Sequence, residues 1–540
     1  MNFHKNIVAI ILAAGEGTRL RPETEIKPKC LINVLGKPIL EYQIEALYYA
    51  GIRDVYIVGG YKFDVLRDYV EREIKRKFKQ VVIHLLENMD YASTNNMYSL
   101  WSALKKLPIR NFDTYLIMNG DVVVEKCLLK NLVDATYKNA VAVDTSLYLE
   151  ESMKVVVDDT GVITDISKNI SPKEAYGVSI DIYKLNKEGI LKLYEIIEKE
   201  FINRGKRNLW TEVALQYGFR NRILKAMPFE ITGYVWWEID TKLDVKRAEH
   251  RIKLLKNIDK IKKIRIFVFD VDGTILVGKH PVEGSADLIS FLRRNNKQVY
   301  FISNNSSMSK RMHLQRINST LEVEVDMDNV YTSIDQIKEY IKETLLKEGR
   351  RRAYILLPPD SKEDLLQGIE VLEDESNPDV VIVGFDTTLT YEKLAKACLF
   401  IERGVDYILI HPDIRCPTEK GFIPDAGSIG QIIKMVTGKP PKYIGGKPNP
   451  DMLRYIAKKE RASIEEICFI GDRFYTDMKM ALNAGALPVL FLTGEVTFEE
   501  LIFTYKDYED KIILGENPKF FLEFLRKHIY ETRTEVMNET

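Results

Sequence analysis

The sequence predicts an α/β protein: two doubly wound, mostly parallel-sheet domains in tandem, the second carrying an inserted α/β cap domain. Three observations predict it. Short apolar runs such as Ile7 to Ala13, Asp54 to Gly60, Tyr115 to Asp121 and Ile264 to Val271 alternate with stretches whose apolar residues recur at helical spacing, the pattern of strands buried on both faces by helices. At 540 residues the chain exceeds what one hydrophobic core supports. About 130 residues separate the strand ending at Ser303 from the turn at Lys447, far more than a loop, so a further folded body is expected between them. The expected boundaries are 1–249 for the first domain, 250–263 for a linker helix, 264–309 and 441–540 for the second core, and 310–440 for the cap.

Charge and composition narrow the partners. Lys and Arg number 78 against 79 Asp and Glu, a net charge of -1 with no long block of one sign, so the electrostatic footprint of a nucleic-acid binder is missing. Five scattered cysteines suit reduced thiols better than a disulfide frame or zinc knuckle. The first apolar run ends in a glycine loop rather than a cleavage site, and no apolar stretch approaches the ~20 residues that span a bilayer. The expectation is a cytoplasmic protein without nucleic-acid partners or membrane insertion, possible as a homo-oligomer.

Taken in order, the run Ile7 to Ala13 turns abruptly into Ala14-Gly15-Glu16-Gly17-Thr18-Arg19-Leu20, a strand feeding a glycine loop. Such a loop lets backbone N–H groups converge on phosphate oxygens, and Arg19 and Lys29 stand where they could neutralise a triphosphate. Leu40, Ile44 and Leu47 share one helix face, with Gly51 as the stop. The next buried strands deliver two carboxylates: Asp121 after Gly120, and Asp240 after Trp237-Glu238-Ile239. Two aspartates on separate strands suit magnesium-assisted transfer of a nucleotidyl group, in which charge repulsion between phosphates must be offset.

The string from Leu12 to Pro22, followed by Lys27-Pro28-Lys29, resembles the signature of nucleoside-triphosphate transferases that activate sugar phosphates and small phosphate esters. The resemblance implies nucleotide binding by Leu12, Ala13, Ala14, Gly15, Gly17 and Thr18, catalytic roles for Arg19 and Lys29, and Mg2+ held by Asp121 and Asp240. Thr94-Asn95-Asn96-Met97-Tyr98-Ser99-Leu100 looks like the corresponding stretch of phosphocholine and aminoethylphosphonate cytidylyltransferases, which implies CTP and a small non-sugar acceptor. Thr94, Asn95, Asn96 and Ser99 then supply donors for an anionic group. The same residues also read as a helix cap, with Asn96 or Thr94 leading the run to Leu104, and both readings can hold together. Trp210, Tyr234, Trp236 and Trp237 read either as core or as a cage for a cationic head group such as choline.

The lysine-rich stretch from Lys242 to Lys263 has helical periodicity and reads as a solvated connecting helix or as the last helix of the first domain. A strand then ends in Asp270-Val271-Asp272-Gly273-Thr274, the D-x-D-G-T signature of the haloacid dehalogenase superfamily of phosphotransferases. Phosphate-ester hydrolysis needs an attacking carboxylate, a charge-screening cation and an acid for the leaving alkoxide. The resemblance assigns Asp270 as nucleophile and Asp272 as acid and base, and Ser303 and Asn304 to the transferring phosphoryl oxygens. Lys447 steadies both, and Asp270, Asp272 and Asp472 hold Mg2+ with Asp477 in support. The strings Gly384 to Ala397 and Gly421 to Pro441 resemble the capped nitrophenyl-phosphatase, glycerol-phosphate and phosphoglycolate phosphatase subgroup. Ser303, Ile423 to Ser428 and His411-Pro412-Asp413 depart from that subgroup's usual residues, and these departures bear on substrate rather than chemistry. The tail from Lys527 is expected to fray.

Overall, the sequence points to a bifunctional enzyme: a CTP-dependent transferase making a CDP-linked small alcohol, and a Mg2+-dependent phosphatase of small phosphate esters. The alternative is a sugar-1-phosphate nucleotidylyltransferase of another base specificity fused to the same phosphatase.

Overall fold

The computed structural model describes residues 6–418 and 420–530. It is an α/β protein with mostly parallel sheets, and it divides into two compact units: residues up to Lys256 together with those from Glu523 on, and Asn257–Leu522.

The first unit is built on a nine-stranded sheet. Ile7–Ala13 lies between Asp54–Gly59 and Thr114–Asn119, parallel to both, and Val82–Glu87 extends the parallel run. Every residue of Ile7–Ala13 is buried because successive side chains enter different cores. Ala9 and Ile11 pack with Leu40, Ile44, Leu47 and Leu132 on one side, and Val8, Ile10 and Leu12 with Leu100, Leu193 and Leu215 on the other. Beyond Thr114–Asn119 the sheet turns antiparallel through Gly177–Asn186, which pairs in turn with Ala140–Asp144 and Lys154–Val157.

The second unit holds two parallel sheets. Ile266–Asp270 is flanked by Gln298–Ser303 and Ile467–Gly471, so its carboxyl end opens at the centre of a six-stranded sheet. A separate five-stranded sheet begins at Arg352 and contains Val380–Val383 and Asp406–Leu409. A hairpin of Arg415–Thr418 and Gly421–Pro424 follows.

Three expected boundaries differ. Val330–Thr332 pairs with Gln298–Ser303, so the first of these sheets continues past residue 310 instead of giving way to the cap. Of the two readings of the helix Lys242–Lys256, the structure favours the last helix of the first domain over a solvated linker: Arg251 is fully buried, its guanidinium 5.6 and 4.7 Å from the rings of Trp236 and Trp237. Cation–π attraction and burial of the arginine stem hold the helix on the first unit. Finally, Lys527 to Tyr530 is helical rather than frayed, and this end belongs with the first unit rather than the second core. There, His528 Nε2 hydrogen-bonds Glu125 at 2.9 Å within a buried pair. The remainder of the expected tail, 531–540, lies outside the described residues.

Candidate active sites

The first site forms where Ile7–Ala13 and Thr114–Asn119 end. Gly17 takes a φ of +63°, and a Cβ there would meet the Lys29 stem at 3.0 Å, so glycine lets the loop close over that lysine. Lys29 Nζ then donates at 2.6 Å to Asp121 and at 2.6 Å to Asp240, and Arg19 reaches Asp240 at 2.9 Å. Burial works against the charge on Lys29, but the two carboxylates outweigh it and hold the ammonium well above the ordinary lysine range. Burial raises Asp240 as well, and Lys29 and Arg19 more than reverse this.

A cavity of about 270 Å³ opens beside this ion group, lined by Leu12, Ala14, Gly15, Arg19, Thr94, Asn95, Asn96, Asp121 and Asp240. Ala13, Gly17 and Thr18 shape the loop without lining the cavity. Asn95 is the helix cap, its side chain accepting the N–H of Asn96 at 2.8 Å, so the cap falls between the two positions expected for it. Thr94 donates to the Asp90 carbonyl, and Asn96 is braced between Asn119 and the N–H of Thr211. Tyr234, Trp236 and Trp237 are core residues; Trp210 alone of that group lines the cavity, with the Lys168 ammonium 4.8 Å from its ring.

The acidic wall of this cavity, formed by Glu151, Asp181, Glu212 and Glu238, carries no local signal in the sequence. Asp181 sits at an irregularity of the strand Gly177–Asn186 with φ +57°, a strained conformation for a non-glycine residue. It accepts from Asn119 at 2.9 Å and from Tyr183 at 3.0 Å, while the same tyrosine hydroxyl lies 2.6 Å from Glu212. One hydroxyl proton cannot satisfy two carboxylates at once. Burial, then the charges of Glu212 and Glu238, push Asp181 well above the usual range; burial also raises Glu212. Burial followed by repulsion from Asp121 and Asp240 pushes Glu238 up to about 8.

In the second site Asp270, Asp472 and Asp477 bring carboxylate oxygens within 4.8 Å of one another. Lys447 donates to Asp270 and lies 2.7 Å from Asp477. Thr274 donates to Asp472 at 2.8 Å, and the N–H of Glu495 does so at 2.8 Å. Burial, followed by repulsion from Asp477 and Asp472 and against the pull of Lys447 and Arg473, pushes Asp270 upward; burial and then Asp477, against Arg473, push Asp472 up to about 6. Both this group and Asp121, Glu238 and Asp240 offer hard oxygen ligands, which fits a divalent cation.

Two expected site residues stand apart. The carboxylate of Asp272 lies outside the group of three, hydrogen-bonded at 2.6 Å by Arg316 on the helix Lys310–Leu321, and Asp477 is the third member of that group. The Asn304 side chain is committed elsewhere, its amide donating to Asp413 and the Lys447 carbonyl and its oxygen accepting the Lys447 N–H at 2.7 Å. It braces Lys447 instead of facing the site. Ser303 stays buried at the strand end, accepting the N–H of Asn305. Gly494 was not foreseen either: a Cβ there would lie 1.9 Å from the Asp472 carboxylate.

Comparison with known proteins agrees with this division. Residues 8–165 match the model of the nucleotidyl transferase family, residues 267–368 that of haloacid dehalogenase-like hydrolases, and residues 444–512 a further HAD-hydrolase-like model. An acid sugar phosphatase of Staphylococcus haemolyticus is 28% identical over 241 residues, 45% of this chain and 90% of that protein. Its counterpart in Staphylococcus saprophyticus is 29% identical over 261 residues, 47% of this chain and 98% of that protein. Among solved structures, a 4-nitrophenylphosphatase of Thermotoga maritima is 36% identical, covers 49% of this chain and 98% of its own, and superposes with a TM-score of 0.46. The chain thus carries an N-terminal nucleotidyl transferase domain and a C-terminal haloacid dehalogenase-like hydrolase domain.

Proposed function

We propose that the first domain is a cytidylyltransferase that joins CTP to a small alcohol phosphate or phosphonate bearing a cationic group, and that the second is a phosphatase of small phosphate monoesters, both working with Mg2+. The observation that carries the acceptor class is the acidic wall: Asp181, Glu212 and Glu238 are partly or wholly buried, line the cavity, and the charges of Glu212 and Glu238 act on Asp181. A cationic head group would offset that repulsion, whereas an uncharged sugar would not. The preference for CTP rests on the Thr94 to Leu100 resemblance.

In the transferase, an oxygen of the acceptor phosphate attacks the α-phosphorus, and the bond to the β-phosphate breaks to release pyrophosphate. The Gly15 loop presents backbone N–H groups to the triphosphate, and Arg19 and Lys29 offset its charge. In the phosphatase, Asp270 attacks phosphorus while Asp272 gives a proton to the departing alkoxide; Asp272 then takes a proton from the water that cleaves the aspartyl phosphate. Asp272 must leave Arg316 to do so. Lys447 holds Asp270 in place, and the five-stranded sheet serves as the cap that selects the ester. Bound Mg2+ screens phosphate charge in both sites. The relatives named as sugar and nitrophenyl phosphatases support a small monoester as substrate. Fusion of the two activities suits synthesis of a CDP-activated precursor of a surface glycan or lipid.

The test is a panel of the four nucleoside triphosphates against phosphocholine, phosphoethanolamine, aminoethylphosphonate, polyol phosphates and hexose 1-phosphates, followed by pyrophosphate release. CTP with a cationic acceptor is expected to be fastest. Faster turnover of UTP or dTTP with a hexose 1-phosphate would replace this reading with a sugar nucleotidylyltransferase. A second expectation concerns Gly494→Ala, whose methyl group must displace the Asp472 carboxylate. Phosphate release should fall about 10²-fold, the size of effect that an ångström-scale misplacement produces, while pyrophosphate release is unchanged.

A further inference from the structure

One cluster of ligating side chains takes no part in the chemistry above. His411 and Asp413 follow the strand Asp406–Leu409, and Asp425 caps the helix Ala426–Thr437. Their exposures are 0%, 6% and 4%, and one ligating atom of each lies within 4.8 Å of the others. The backbone fixes this arrangement. The N–H of Asp425 donates to the Ile414 carbonyl at 3.0 Å and that of Gly427 to the Asp413 carbonyl at 2.8 Å. Gly427 permits the approach, since a Cβ there would lie 2.2 Å from the Pro412 carbonyl oxygen.

Hydrogen bonding leaves these groups poorly compensated. Asp413 receives two 3.2 Å contacts from the neutral Asn304 amide, and Asp425 receives the N–H of Ala426 at 2.6 Å. The imidazole stands 3.7 Å from Asp413 through Nδ1 and 3.5 Å from Asp425 through Nε2. Nε2 is 3.0 Å from the Ser306 hydroxyl, while Nδ1 is buried with no hydrogen-bond partner. Carboxylates removed from water are costly unless a cation accompanies them. The Nδ1–Asp413 gap is close to the ~3.4 Å separation of two ligand atoms in a tetrahedral site with ~2.1 Å bonds, and Asp425, whose nearest ring atom is Nε2, stays within the 4.8 Å group. Ser306, held by the N–H of Phe385 at 2.9 Å, orients the ring from its far nitrogen as an outer partner orients a metal-bound histidine.

We propose that His411 Nδ1, with Asp413 and Asp425, binds a divalent cation of the zinc or manganese class, separately from the carboxylate groups at Asp121 and Asp270. One nitrogen and two oxygens suit a borderline ion; Mg2+ favours all-oxygen, hydrated sites. Because Asn304 joins Asp413 to Lys447, the ion also positions the lysine of the phosphatase site.

The test uses the full-length protein, stripped with chelator, held in excess Mg2+ and titrated with Co2+. One equivalent is expected to bind with a visible ligand-field absorption that Zn2+ displaces. The band should persist in Asp472→Asn. His411→Gln and Asp413→Asn should weaken binding more than about 100-fold, with an unchanged circular dichroism spectrum and a cooperative thermal transition showing that the chain has folded. No bound ion in the unsubstituted protein would overturn the proposal. Full binding by His411→Gln would overturn it equally. The unsubstituted protein decides the matter even if both variants fail to fold.

Discussion

Asp270→Asn is expected to abolish phosphate release, by about 10⁴-fold or more, without loss of fold. Asparagine keeps the shape of the residue at the end of Ile266–Asp270 but cannot attack phosphorus. Its effect on stability should be neutral or favourable, because burial disfavours the charge of Asp270, the three carboxylates outnumber the cations Lys447 and Arg473, and Lys447 keeps Asp477 at 2.7 Å. Removing one charge relieves repulsion. The measurement is phosphate release, pyrophosphate release and thermal midpoint on one preparation. The expected result is loss of the first, preservation of the second and an equal or higher third. Loss of pyrophosphate release from a folded variant would show that the two sites are coupled.

Asp240→Ala should give the converse: pyrophosphate release falls about 10³-fold and phosphate release is unchanged. Asp240 is the shared partner of Lys29 at 2.6 Å and Arg19 at 2.9 Å, so its removal frees Arg19, leaves Lys29 with one of its two anchors and takes one oxygen ligand from the Asp121, Glu238 and Asp240 group. Lys29 retains Asp121 and the backbone does not depend on the Asp240 side chain; the turn there is held by Asp244, which accepts from the N–H groups of Asp240 and Thr241. Single-turnover measurement with saturating CTP separates lost chemistry from lost nucleotide binding. A variant that retains full turnover would remove Asp240 from the transferase machinery.

What the sequence made legible is local. Ile7 to Ala13 and its glycine loop carry strand and phosphate signals within a dozen residues, and Asp270 to Thr274 does the same. Asp181 and Glu212 were illegible because neither belongs to a local pattern: one occupies an irregularity in an otherwise buried strand, and the other lies on the amphipathic helix Thr211–Arg220. They meet only through Tyr183. Arg316 likewise reads as an ordinary polar helix residue until the fold brings it to Asp272. The early boundary assigned to the inserted body has a similar cause: Val330–Thr332 is a strand of three residues, too short for alternation to reveal, though it completes the edge of a sheet.

The C-terminal turns that join the first unit make the hydrolase domain an insertion rather than an appendage. A ribosome that has finished residue 256 has not yet supplied His528, the partner of buried Glu125, nor the backbone of Glu523 and Phe524 that lies within 2.5 Å of where a Cβ on Gly233 would stand. At about 5–20 residues per second, the intervening chain takes tens of seconds to emerge. The domain encoded first is therefore completed last, and a message that ends early yields a finished hydrolase beside an unfinished transferase.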